Sequence, residues 1–244
     1  MEETKKSGKK VLLTILIIVG IVVLAIGGTI AYFAYTGVQE VKNWTVFKQE
    51  LEKIDFSLED SNIDMKIYSK GKVGELEKYT KENISNLIAK STSYENIVLD
   101  TMSNILSPDA LTKDDADLTA HKEKINKIKI ASNEFYTAGL ETFDIKNWEN
   151  KINEFNYPDA LKQEFINILS GQCTPYYNKI KKAKEADAKI WEETEAAIDY
   201  LVENKSDWNV NNGLVEFNTQ EVLDKYIEFG TRIQENANEL ANML

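Results

Sequence analysis

From residue 38 onward, apolar side chains return every three or four positions, the spacing of one helical face. Val38, Val41, Trp44, Phe47 or Lys48 beside it, Leu51, Ile54 and Leu58 form the first such stripe. Ahead of it the pattern is different, because residues 11–35 are 25 positions without one charged side chain. A run of that kind predicts a membrane-spanning helix, since a hydrocarbon core of about 30 Å takes roughly 20 residues at about 1.5 Å each. It contains no proline and fifteen Leu, Ile, Val or Phe, so a helix bonds its own backbone in lipid and insertion is favoured. The stripe that follows then reads as a helical stalk continuing the span.

A cleaved signal peptide is the competing reading, but its apolar region runs only about 7 to 15 residues before a small-x-small site. Ala25-Ile26-Gly27 offers such a site, yet apolar residues continue past it to Phe33, which fits a retained anchor better. Lys5, Lys6, Lys9 and Lys10 precede the run, while Lys42 and Lys48 lie behind it. By the positive-inside bias, residues 1–10 form a basic cytoplasmic tail and residues 36–244 are exported. Tyr32, Phe33, Tyr35 and Trp44 fall where interfacial rings collect. Gly27 and Ala31, four apart, would let two such helices approach, which leaves a homodimer open.

Further along, Ile63, Met65 and Ile67 alternate as a strand would, while Ile63, Ile67 and Lys70 suit a short helix, the reading preferred here. Glycines 71 and 74 interrupt the pattern. From Val73 the face runs through Leu76, Thr80, Ile84, Leu87, Ser91, Tyr94, Val98, Met102 and Ile105, a helix of about 50 Å by rise per residue that ends before Pro108. Thr112 with Asp115 resembles a capping box. The next face is Leu118, His121 or Lys122, Ile125, Ile128, Ser132, Phe135 and Gly139.

Two short helices are predicted after that, one carrying Ile145, Trp148, Ile152 and Phe155, the other Leu161, Phe165 and Ile168 and stopped by Gly171. Thr174-Pro175 places a capping hydroxyl before a proline, a helix-start signal. The new helix carries Tyr177, Ile180, Ala183, Asp187, Ile190, Thr194, Ile198 and Leu201. Residues 207–217 are the one β signal. A two-residue turn at Asn212-Gly213 sets Asn211 opposite Leu214, Val210 opposite Val215 and Trp208 opposite Phe217, with both apolar pairs on one side. Thr219 caps the last helix, whose seam is Leu223, Tyr226, Gly230, Ile233, Ala237, Leu240 and Leu244. The predicted fold is all-α: one transmembrane helix at residues 11–35, then an elongated antiparallel helical bundle over residues 36–244 with one small hairpin.

Composition narrows the partners. Four of the 29 Lys and Arg and two of the 40 Asp and Glu fall in the first ten residues, so residues 36–244 carry a net charge of −13. That sign repels nucleic acid and anionic headgroups. The chain length outside the membrane run suffices for one sizeable core or at most two small ones, and one is expected. A single cysteine, Cys173, cannot make an internal disulfide and reads as a small side chain in a helix-to-helix loop. The sequons at Asn43, Asn83 and Asn204 bear on the protein only in a glycosylating pathway.

Candidate chemistry is thin. His121, the sole histidine, stands four after Asp117, but no second Glu-x-x-His completes a helical metal site, so it reads as a surface or half-buried histidine. Asp109, Asp114, Asp115 and Asp117 lack the glycine and terminal glutamate of a calcium loop and read as solvated helix-start acids. Trp148, Trp191, Trp208 and Tyr176-Tyr177 read as core anchors, with a ligand groove as the alternative. No nucleophile elbow, phosphate-cradling loop, dinucleotide fingerprint or Cys-x-x-Cys occurs. No catalytic, cofactor-binding or metal residue is assigned, and no cofactor is expected. The chain therefore reads as a non-enzymatic, membrane-anchored extracytoplasmic binding or scaffolding protein. Its partners would be the bilayer, through residues 11–35, and a protein of the envelope. A ligand-sensing domain working with a membrane partner and a carboxylate-based hydrolase are the alternative readings.

Overall fold

A computed structural model describes residues 41–53, 63–102, 111, 115–211 and 214–243. These carry six helices and one two-stranded sheet: α1 (Val41–Glu52), α2 (Gly71–Met102), α3 (Asp115–Phe143), α4 (Ile145–Asn153), α5 (Asp159–Glu203), β1 (Trp208–Asn211), β2 (Leu214–Phe217) and α6 (Gln220–Met243). The basic tail, the apolar run 11–35 with Gly27 and Ala31, the Thr112 cap and the Asn212-Gly213 turn lie outside the described residues. Among those described, no helix is long and apolar enough to cross a membrane.

The predicted single core is two. One compact unit takes its described residues from those up to 91 and from 137–180, the other from 92–136 and from 181 onward, and each has its own cluster of buried apolar side chains. Both clusters draw on α2 and α5, whose stripes are long enough to serve two interiors.

In the first unit, α1 is not a free stalk. Its Trp44, Phe47 and Leu51 are all buried, and the Trp44 ring lies 6.0 Å from Phe155 and 5.3 Å from Phe165. Burying each such side chain contributes about 1.5–3 kcal/mol, so a face with that spacing docks when the same chain offers a partner. Trp148 and Ile152 of α4 join this core. Asp144 caps α4 by accepting from the Lys146 N–H, and the Trp148 indole N–H donates to the Thr142 carbonyl at 2.9 Å.

The short helix expected near residue 65 does not form; residues 63–68 have no regular structure. A side chain takes their backbone donors, because the Glu77 carboxylate accepts from the Ser69 N–H at 2.8 Å and the Tyr68 N–H at 3.3 Å. Gly71, at φ +57°, turns this segment into α2. Gly74 sits inside the helix where a Cβ would stand 2.6 Å from the Ser69 carbonyl oxygen. Alanine at an open helical position gains about 1 kcal/mol over glycine. Here the obstacle is backbone, so Gly74→Ala is expected to lose about 1–3 kcal/mol by overpacking, read as a lower urea midpoint.

Where two helices and a loop were predicted, α5 runs unbroken through Gly171 and Pro175. An interior proline forfeits one helical hydrogen bond and costs about 3 kcal/mol. Packing on both sides offsets it: Leu169 and Cys173 are buried before the proline, Tyr176 stacks on Phe143 at 5.7 Å after it, and Ile180 meets α3 where Gly139 has no side chain. Cys173 is therefore a core residue of a helix, not a loop residue.

In the second unit, Leu118, Ile125 and Ile128 of α3 bury with Ile190, Trp191, Ile198 and Leu201 of α5, and Trp208 of β1. The hairpin register is the one predicted, with Trp208 opposite Phe217 and Val210 opposite Val215. Its anchor is the Trp208 indole, whose N–H donates to the Leu201 carbonyl at the end of α5 at 2.8 Å. Along α6 the predicted seam packs on the second core, with Tyr226, Ile233, Ala237 and Leu240 half-buried against it. Val222 and Phe229 are the buried positions and Gly230 is exposed. Arg232, the only arginine, donates to Glu193 of α5 at 2.8 Å and its guanidinium covers the Phe229 ring at 4.7 Å.

Candidate functional site

The polar residues that the helical stripes carry toward the interior define the candidate sites. Several are closed locally: Thr80, Thr142 and Thr194 each return a hydroxyl to the carbonyl four residues earlier, a back-bond that lets a polar residue sit in a buried face. Two clusters are not explained that way, one in each unit.

The first is an ion pair in the interior. Glu77 and Lys81, one turn apart on α2, meet at 2.8 Å with side chains 0% and 1% exposed. The Lys81 ammonium also donates to the Lys66 carbonyl at 2.7 Å and stands 5.3 Å from the centre of the Tyr68 ring. Burial pushes the Glu77 carboxyl up, but Lys81 and the Ser69 and Tyr68 N–H groups outweigh it and hold the carboxyl below its ordinary value. The Tyr68 hydroxyl donates to Asp64 at 2.8 Å, closing the extended segment on itself. With both charges satisfied, this centre fixes residues 63–70 against α2.

The second cluster surrounds Asp187 of α5, which is 2% exposed. Tyr94 of α2 donates its hydroxyl to Oδ1 at 2.6 Å. Ser132 of α3 and the Trp191 indole N–H, the latter at 3.1 Å, donate to Oδ2. Burial raises the carboxyl above its ordinary value, against the pull of Ser132, Tyr94 and Trp191. Burial also pushes Tyr94 and Tyr136 well up, with the charge of Asp187 adding to both, so the phenols stay neutral donors. Phe135 stacks on Tyr94 at 5.8 Å. A raised carboxyl suits proton transfer, yet its donors come from the protein and its side chain is sealed.

Residues singled out by sequence fall elsewhere. His121 is buried at 5% exposure rather than at the surface, because it occupies the stripe position between Leu118 and Ile125. Asp117 is exposed, while Asp109 and Asp114 and the Asp115 side chain lie outside the described residues. Among the described residues, no group of three or more His, Cys, Asp and Glu could hold a metal ion. Trp148, Trp191 and Trp208 are core anchors. Burial pushes the Cys173 thiol up to about 11, so it is no nucleophile at neutral pH.

Both polar clusters were missed as sites, and only the Asp187 cluster left a trace. Ser132, Tyr94 and Asp187 all sit in predicted apolar stripes, and an acid among Ile180, Ala183 and Ile190 signals a partnered interior carboxyl. Glu77 and Lys81 looked like any solvated pair at helical spacing. Compared with protein-family models, curated proteins and solved structures, the chain matches none. What the fold and its interior define is a mostly helical protein with two apolar cores and two satisfied polar centres.

Proposed function

We propose that this is a membrane-anchored, extracytoplasmic helical protein that binds or scaffolds a protein partner in the envelope and performs no chemistry of its own. The observation that carries the reading is the uncharged run of residues 11–35 between four lysines and an acidic remainder, the charge order of a span with its N-terminus inside. Consistent with binding, the Asp187 carboxylate is engaged in holding three helices together. The net charge of −13 over residues 36–244 turns the proposed partner away from nucleic acid and lipid headgroups and toward protein.

Protease added to sealed cells is expected to digest residues 36–244 and to spare the short N-terminal tail. Full protection until lysis would reverse the topology, and a mature chain starting beyond residue 35 would remove the anchor. Crosslinking in intact cells should then capture a distinct envelope protein. Hydrolysis by the purified chain, abolished by one carboxylate substitution, would overturn the non-enzymatic reading.

A further inference from the structure

The Asp187 cluster has an asymmetry that assigns a position to a proton. Oδ2 accepts from two donors, and one of them, the Trp191 indole N–H, is a donor only. Oδ1 accepts from the Tyr94 hydroxyl alone, and a phenol accepts as well as donates. Oδ1 is thus the oxygen at which a proton fits without setting two donors against each other.

We propose that Asp187 and Tyr94 form a proton-responsive pair: in weak acid Asp187 takes up one proton on Oδ1 and the hydrogen bond to Tyr94 reverses, while Ser132 and Trp191 go on donating to Oδ2. No bond other than O–H changes. In the ionised state the 2.6 Å Tyr94 contact has the length of a hydroxyl donating to a carboxylate; in the protonated state the carboxyl donates and the phenol accepts. The titratable groups that bear on the site are Tyr94 from α2 and Tyr136 from α3, both held neutral by burial, and from α5 itself the contact is the uncharged Trp191 indole. With the charge buried among neutral groups, protonation removes a desolvated anion and leaves the packing in place.

The direction of the stability effect follows from linkage. Burial places the folded carboxyl above its unfolded value, so the folded state takes the proton first. This group's contribution to stability is fully present below the unfolded value and is lost as pH rises through the folded one. The second unit therefore gains relative stability as the medium turns acid, opposite in sign to the salt-bridged Glu77.

The test uses the full chain in detergent micelles, with aspartate and tyrosine labelled with carbon-13. The Asp187 Cγ resonance, identified by its absence from Asp187→Asn, is expected to titrate as one proton with a midpoint above the ordinary carboxylate value of about 3.9. The Tyr94 Cζ resonance should move with the same midpoint. An Asp187 signal that stays at its ionised position until acid unfolding would overturn the proposal, as would a titration that leaves Tyr94 unmoved. In urea, the wild-type midpoint is expected to rise relative to Asp187→Asn as pH falls from neutral toward the ordinary carboxylate value; a constant difference would count against the pair. Should Asp187→Asn not fold, selective labelling of the Ala-Asp bonds, which occur only at 116–117 and 186–187, with exposed Asp117→Asn removing the other signal, keeps the wild-type titration decisive.

Discussion

Lys81→Met is expected to destabilise the protein by about 3–5 kcal/mol, the cost of leaving a buried charge without its partner. Methionine keeps the length and apolar stem of lysine, so the loss isolates the ammonium. Without it, the fully buried Glu77 carboxylate retains the Ser69 and Tyr68 N–H groups but no cation. The Lys66 carbonyl also loses its 2.7 Å donor. Urea unfolding at neutral pH measures the effect. A loss under about 1 kcal/mol, the range of solvated pairs, would show that water reaches the site.

The pH dependence separates the pair from ordinary packing. In the wild type the Glu77 carboxyl is held low by its partners, so its contribution is present above the unfolded value and is lost as pH falls through the folded one. In Lys81→Met burial acts unopposed by the ammonium, the carboxyl rises, and the folded state binds the proton more readily than the unfolded chain. The deficit of the variant should therefore shrink in acid. Adding Glu77→Gln to Lys81→Met should recover part of the loss, because a neutral amide removes the stranded charge.

Trp208→Ala is expected to cost about 3–5 kcal/mol, the range for deleting a buried aromatic side chain. Trp208 is 0% exposed and joins β1 to the end of α5 through the Leu201 carbonyl. An isolated two-stranded hairpin is at best marginal in water, so removal of its anchor should unseat the hairpin as well as open a cavity. Near-ultraviolet circular dichroism should lose intensity while far-ultraviolet helicity persists. Trp208→Phe, which keeps a ring but not the N–H, should lose the roughly 1 kcal/mol of a typical hydrogen bond plus a smaller cavity cost. Wild-type stability in Trp208→Ala would contradict the anchoring role.

Local pattern made most elements legible because an apolar stripe at three-and-four spacing records burial directly. It located α2, α3 and α4, and the alternation on each side of Asn212-Gly213 set the hairpin register before any packing was known. The same pattern carried no information about what each stripe faces. The Trp44, Phe47 and Leu51 stripe fitted a lone stalk as well as a docked helix, and only its packing on Phe155 and Phe165 distinguishes them. Gly171 and Pro175 are breakers by local propensity, and α5 overrides them because contacts on both flanks outweigh one lost hydrogen bond.

The polar centres were the least legible part. Burial of Glu77 and Lys81 depends on the segment 63–70 folding over them, and four-residue spacing is identical for an interior pair and a solvated one. Tyr94, Ser132 and Asp187 belong to three helices whose meeting no single stretch encodes.

The chain by itself determined the uncharged run, the acidic remainder, the helical class and the hairpin register, because each depends on neighbours within a few residues. Tertiary structure decided that there are two cores, that α5 is one helix, and that Asp187 and Glu77 are interior. These features arise from contacts between residues tens of positions apart, where the environment of a side chain is set by what covers it.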